Sequence, residues 1–362
     1  MRAKVFAGSW LVLVVGFFLG NFLLWQLVTS QVFFESMDGH GDLKRIGSFA
    51  ATPARTHPVE YAKKHVEFRD YVAAGGQEHF DVLTIGDSFS NGGGGNYYQD
   101  YLADRYGLRI LNVPCDAFGD GNALSILYAL QQTGCLAEIA PRFVIVESVE
   151  HYIGDRYNGK LPERPLLSRE EFLKKELPEH RAADGIREDK LFTPIMIKAN
   201  IEYLKNRLYA LQHPGSLSDT ADWAMLSRDA FTAPGQERLL LYYHLEADPL
   251  ANPLVPAEIH QNMQAAADML AVQGAELIFM PVVGKLDLYY PYLADGSGLP
   301  ENPGLAALSA APHSYRLLDT RKILRAALSE GVQDLYWNDD THWSWKAQQR
   351  VGDALWKEMA AP

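Results

Sequence analysis

Positive charge is what this sequence has least of. Its 45 acidic residues outnumber its 33 lysines and arginines, giving a formal net charge of −12. That balance argues against a nucleic-acid partner, because phosphate binding needs clustered cations. It also disfavours a strongly anionic polymer as substrate, unless a local basic groove offsets the overall field. Cysteine is scarce as well, with only Cys115 and Cys135 present. A lone even pair in an oxidising compartment reads more readily as a disulfide than as a reactive site, with two buried thiols as the alternative. No Cys/His spacing resembles a metal site, no cofactor is implied, and no internal repeat is found. The only low-complexity tract is Gly92 to Gly95. Apolar residues make up 48% of the 362. That is enough for one large α/β domain with an insertion, or two modest domains.

The N-terminus carries the longest uncharged run. Arg2 and Lys4 precede a stretch from Val5 to Phe34 without a charge, closed by Glu35. Its apolar heart, Phe6 to Val28, exceeds the roughly 20 residues that a helix needs to cross a bilayer. Trp10 and Trp25 lie near its two ends, where amphipathic rings favour the membrane interface. Basic residues ahead of the run predict a cytoplasmic N-terminus and an outward-facing remainder. The domain would then stand in the periplasmic or extracytoplasmic space on a single-pass inner-membrane anchor. A signal peptide cut after Ser30 is the competing reading, but the run is longer than the usual 7–15-residue signal core. Residues 1–34 are therefore taken as anchor and 35–75 as a stalk with a short helix near Tyr61 to Val72. Residues 76–362 form the main domain.

Within that domain, Asp81 to Ile85, Arg109 to Val113 and Phe143 to Val146 are short, β-branched and bounded by turn signals. Asn122 to Gln132 between them reads as a helix. Strand, helix, strand in this order predicts an α/β fold, a parallel sheet flanked by helices. Residues 160 to about 250 read as a helical insertion without a strong strand, in which Ser168 to Glu171 forms a capping box. The α/β grammar resumes with Pro256 at a helix start, where Ile259, Met263, Ala266 and Leu270 share one face and Gly274 follows. Glu276 to Val283 and Tyr315 to Leu318 read as further strands, and Trp345 to Met359 as a C-terminal helix.

Two segments carry chemistry. Leu83-Thr-Ile-Gly-Asp-Ser88 places a serine in a turn after a strand, at the carboxyl end of a parallel sheet where α/β ligand sites lie. A serine hydroxyl is a weak nucleophile and needs an adjacent base. Trp337-Asn-Asp339-Asp340-Thr-His342-Trp supplies one. A carboxylate two or three residues before a histidine can hold Nδ1–H and leave Nε2 free for the serine proton. The bland alternative is that Asn338 or an aspartate caps the last helix, with His342 on its surface.

Four segments together resemble the SGNH hydrolases, and more narrowly their periplasmic branch that acetylates alginate and related polysaccharides. They are Gly86-Asp-Ser88-Phe, Val144 through Tyr152, Pro281 through Lys285 with Tyr290 through Leu293, and Asp340-Thr-His342-Trp343. The resemblance implies a flavodoxin-like sheet, Ser88 as nucleophile, His342 as base and an aspartate orienting it. The broad family points to Asp339 and the alginate-acetylating branch to Asp340, which is preferred. The order along the chain departs from that branch, in which the Asp-x-His segment precedes the Gly-Asp-Ser segment. A second departure is Glu147-Ser-Val-Glu150, standing where the broad family has a Gly-x-Asn-Asp block with an oxyanion-hole asparagine. Backbone N–H groups of Ser88, Gly119 or Gly121 are the natural replacements.

Gly92 to Gly95 reads as a flexible loop more readily than as a substrate contact. Lys285 and Tyr290, with Tyr289 and Tyr292 nearby, are candidate contacts for a sugar or a carboxylate, and a solvated lysine and packed tyrosine are the plain alternatives. Glu147 and Glu150 could form a glycosidase-type carboxylate pair, although nothing in their spacing demands it. The resemblance implies an O-acetyltransferase with a carbohydrate acceptor and a membrane-embedded acyl-exporting partner. A carbohydrate esterase using the same residues, and a non-catalytic polysaccharide-binding subunit, stand beside it.

Overall fold

In the computed structural model the described residues are 2–30, 41–43, 59–76, 78–115, 121–160, 168–175, 194–248 and 250–361. Six strands form one sheet: β1 (Val66–Glu67), β2 (Val82–Gly86), β3 (Ile110–Pro114), β4 (Phe143–Val149), β7 (Glu276–Val282) and β8 (Arg316–Leu317). Their spatial order is β1-β3-β2-β4-β7-β8, and every pairing is parallel. Without the two-residue edge strand β1, this is the flavodoxin-type order, which reverses between β2 and β4. The sheet is sandwiched by helices. Asn122 caps the Ala123–Gln132 helix by accepting from the N–H groups of Leu124 and Ser125. Pro256 opens the Pro256–Ala271 helix, and Ser344 caps the C-terminal helix Trp345–Ala360.

The inner strands lie almost wholly in the core. All seven residues of β4 are buried, as are all five of β2. Burial on both faces explains why these strands read as continuous apolar runs rather than as alternating ones. Each fully buried Val, Leu or Ile contributes about 1.5–3 kcal/mol, which fixes the strand ends that carry the site.

Three expectations change. The insertion holds helices, including Arg169–Lys175 and Pro194–Gln212, but also an antiparallel hairpin of β5 (Ala221–Met225) and β6 (Leu239–Tyr243). The helix near Tyr61 to Val72 is confined to Phe68–Ala73, because Val66–Glu67 pairs with β3 instead. Cys115 and Cys135 are separate, buried free thiols rather than a disulfide. The capping box is present: the Ser168 N–H donates to Glu171 and the Glu171 N–H to Ser168 Oγ.

At the N-terminus, Val5–Thr29 is a helical stretch of 25 residues, exposed over most of its length, with an apolar window of mean hydropathy 2.2, long and apolar enough to span a membrane. Most of the stalk lies outside the described residues. Its central piece, Gly41 to Leu43, reaches the main domain. Leu43 is fully buried beside Ala221 and Leu241 of the hairpin.

Candidate active site

Ser88 lies in the turn that leaves β2, at the point where the strand order reverses. The turn is over-determined. Its Asp87 N–H donates to Glu147 Oε2 at 3.0 Å, and the Ser90 hydroxyl donates to the same oxygen at 2.8 Å. Asp87 in turn accepts from the Val149 N–H and from Arg156, fixing the turn to the end of β4. Burial works against ionising Asp87, but the Arg156 guanidinium and the Val149 N–H outweigh it and hold its carboxyl below the usual range. Glu147 goes the other way. Burial, with Asp87 alongside, pushes it well above the ordinary glutamate value. Below the turn, Asn91 donates to the Gly86 carbonyl and accepts from Asn112. Asn112 also accepts from Thr84, closing a buried polar net. Ser88 itself is exposed above this frame.

The second half of the site comes from the loop before the C-terminal helix. His342 Nε2 is 2.7 Å from Ser88 Oγ, and His342 Nδ1 is 2.6 Å from Asp340 Oδ1. The two segments, 254 residues apart in sequence, thus meet in one hydrogen-bonded chain of serine, imidazole and carboxylate. Asp339 is not part of it: its carboxylate accepts from the Gly41 N–H at 3.1 Å. Burial disfavours a charged imidazole, but Asp340 and then Asp42 outweigh it and raise His342 to about 9.

Asp42 is a participant that the sequence reading missed. Its carboxylate accepts from the Thr341 N–H at 2.7 Å and from the Thr341 hydroxyl, and Oδ2 lies 3.5 Å from His342 Nδ1. Burial, then Asp340, raises Asp42 to about 6. No local motif marks it, since it is one aspartate in a polar stretch. The donor atoms of Asp42, Asp340 and His342 lie within 4.8 Å of one another. Even so, the 2.6 Å Nδ1–Oδ1 separation is that of a hydrogen bond. Two ligands on a tetrahedral zinc stand about 3.3 Å apart.

A base must be neutral to take a serine proton, so with His342 in that role the acid limb of kcat/KM is expected near pH 9, activity falling as pH drops below it. Asp42→Asn removes a charge that favours the imidazolium, so the limb is expected to move toward lower pH. Rate–pH profiles of both proteins check this; a uniform loss with an unmoved limb would assign Asp42 a purely structural part.

The remaining candidates fall in different places. Lys285 is fully buried, and its ammonium donates to the carbonyls of Trp337 at 2.7 Å and of Asn338 and Asp340 at 2.9 Å. It therefore faces no substrate; it organises the loop that presents Asp340 and His342. Burial lowers it to about 8, against the pull of Asp340 and Asp339. Tyr290 spends its hydroxyl on the Leu299 carbonyl at 3.3 Å. Tyr289 is fully buried, accepting from the Tyr336 N–H, and Tyr292 packs under Arg228. These contacts remove Tyr289 from any sugar-stacking surface.

Gly121 has a positive φ of 61° and lies against Arg156, whereas Gly119 is outside the described residues. Among the described residues the Ser88 N–H has no hydrogen-bond partner. Glu147 and Glu150 serve separate loops, Glu150 accepting from the Gly284 N–H at 2.8 Å, so they do not form a glycosidase pair.

The glycine run is a wall of the site. The Gly93 N–H donates to the Ser88 carbonyl at 2.7 Å, and the Trp337 indole donates to the Gly94 carbonyl at 2.8 Å. A Cβ on Gly93 would sit 2.6 Å from His342 Nε2. Beyond the triad, at the ends of β4 and β7, a cleft is lined by Glu150, His151, Asp155, Glu246, Asn252 and Asn302 among others. His151 is held neutral there, lowered to about 4 by burial.

No family model and no curated protein matches this chain. A solved structure described as the crystal structure of TesA aligns over 78% of this chain and 98% of that one, at 16% identity and a TM-score of 0.31. At that score the overlap is partial, and the functional reading rests on the site itself.

Proposed function

We propose that this protein is a membrane-anchored, extracytoplasmic serine O-acetyltransferase of the SGNH hydrolase type, acting on a carbohydrate hydroxyl. The observation that carries acyl chemistry is the unbroken Ser88–His342–Asp340 chain at 2.7 and 2.6 Å. Ser88 Oγ attacks the acyl carbonyl while His342 Nε2 takes its proton, and Asp340 holds the imidazolium that forms. The oxyanion of the tetrahedral intermediate is met by the free Ser88 N–H. Collapse breaks the bond to the leaving group, which receives the proton from His342. An acceptor hydroxyl then repeats the sequence in reverse on the acyl-serine. A complete triad counts against the non-catalytic reading.

The carbohydrate acceptor and the membrane-embedded acyl-exporting donor come from the sequence resemblance. The cleft at the ends of β4 and β7 supports the former, since its carboxyls and amides suit hydroxyl groups. Hydrolysis is the second reading, favoured by the exposure of Ser88 to water. The test is to incubate the purified full-length protein with an activated acetyl ester and a neutral oligosaccharide. Mass spectrometry is expected to show acetyl gain on the sugar, absent with Ser88→Ala. Ester cleavage without acetyl gain makes the protein an esterase, and activity surviving in Ser88→Ala overturns both enzymatic readings.

A further inference from the structure

The Pro194–Gln212 helix has one buried face and one apolar face that nothing covers among the described residues. Met196, Ala199, Asn200 and Asn206 are buried. Ile201, Leu204, Leu208 and Leu211 are exposed, from 56% to 82%. Their spacing of three, four and three residues places them on one stripe about 15 Å long. Exposed leucines in such a row are a cost in water unless something apolar meets them.

What meets them is indicated by where the helix sits. Asn200 donates to the Asn21 carbonyl at 2.9 Å and accepts from the Thr29 hydroxyl at 2.5 Å. Both partners belong to the last turns of the N-terminal helix. That helix, 25 residues from Val5 to Thr29, is about 37 Å long at 1.5 Å per residue, against a hydrocarbon core of roughly 30 Å. The excess is about one and a half turns, which covers residues 25–29 with the polar Gln26 and Thr29, while Asn21 lies a turn further in. The Pro194–Gln212 helix therefore joins the anchor at the level where the anchor leaves the hydrocarbon.

Charge points the same way. The chain is strongly acidic, yet this helix carries Lys198, Lys205 and Arg207 against Glu202 alone among its exposed charges. At roughly 100° per residue, Lys198 falls on one rim of the apolar stripe and Arg207 on the other, with Lys205 beside Lys198 but paired to Asp219 at 2.9 Å. An apolar stripe between basic rims is the pattern of a helix lying in a membrane interface, where long cationic side chains reach the phosphates.

We propose that the Pro194–Gln212 helix lies in the headgroup layer of the membrane that the anchor crosses, its Ile201–Leu204–Leu208–Leu211 stripe facing the acyl chains. This rests on the membrane-anchor reading above. The catalytic domain is then held by two elements, a spanning helix and an interfacial one, so it lies against the bilayer in a fixed orientation rather than swinging on a stalk.

The experiment uses the full chain, with both cysteines replaced by alanine, in lipid nanodiscs containing phosphatidylglycerol. Single cysteines at Leu204, Leu208 and Leu211 carry a fluorophore, with Leu13 as the anchor reporter and Val272, 89% exposed just past the Pro256–Ala271 helix, as the aqueous reference. Quenching by spin-labelled lipid is expected to be at least threefold stronger at the three stripe positions than at Val272, and iodide quenching correspondingly weaker. Stripe labels that iodide quenches as strongly as Val272, while Leu13 is quenched by lipid, overturn the proposal and leave the anchor intact. A Leu13 label without lipid quenching overturns the anchor reading itself. Stripe labels shielded from both quenchers, with disulfides forming between copies of the unlabelled single-cysteine variants, would assign the face to a second copy instead.

Discussion

Asp340→Asn is expected to lower kcat/KM for an activated acetyl ester by about 10⁴-fold, whereas Asp339→Asn should stay within about tenfold of the parent. The reason lies in what each carboxylate holds. Asp340 Oδ1 accepts from His342 Nδ1 at 2.6 Å, which leaves Nε2 without a proton and able to accept from Ser88. A carboxamide can offer its own N–H to Nδ1 and so favour the other tautomer, with Nε2 protonated against the serine. It also removes the charge that stabilises the imidazolium. Asp339 instead accepts from the Gly41 N–H, and an asparagine oxygen can still accept that bond. Steady-state kinetics of the two variants, each checked for native far-UV dichroism, decide the matter. A larger loss at Asp339 than at Asp340 would reverse the assignment.

Gly93→Ala carries the second-largest expected loss, lowering kcat by about 10²-fold or more with little change in KM. No side chain is available at this position to contact substrate, so a loss must come through the base. The added Cβ would stand 2.6 Å from His342 Nε2 and 2.6 Å from the Ser88 carbonyl oxygen, well inside van der Waals contact. Relief by loop movement is opposed on two sides. Gly93 is hydrogen-bonded to Ser88, and its neighbour Gly94 is held by the Trp337 indole. The imidazole therefore has to shift, and a displacement of about 1 Å at a reacting group costs roughly 10²-fold. A folded Gly93→Ala protein with full activity would show that the glycine run is the flexible loop its composition suggests.

The contrast between these two positions shows what a sequence exposes. Strands β2, β3, β4 and β7 were legible because burial on both faces writes an apolar run into the chain. Ser88 and His342 were legible because a nucleophile after a strand and an Asp-x-His before a helix are local patterns. The hairpin was not. β5 reads Ala-Asp-Trp-Ala-Met, and its buried positions, Ala221, Asp222 and Ala224, are small or polar residues without the apolar alternation of a strand. β6 is an apolar run with no local sign of its partner. Lys285 looked like a surface cation, because nothing beside it in sequence announces the three carbonyls, more than 50 residues away, that surround its ammonium. Asp42 was hidden for the same reason, its bond to Thr341 spanning 299 positions. Contacts of that separation are set by topology, and a single chain read locally carries no trace of them.

The grip of Gly41 on Asp339 also sets a leash. Thr29 ends the anchor helix, and Gly41, hydrogen-bonded to the residue next to Asp340, is twelve residues further on. Whatever path the chain takes between them, twelve residues extend at most about 43 Å. With the Val5–Thr29 helix as the proposed anchor, that length limits how far Ser88 can stand from the bilayer. Under the proposed function, substrate carried on or emerging from that membrane would meet the enzyme at a high local concentration, and a glycan chain grown past that limit would be beyond its reach.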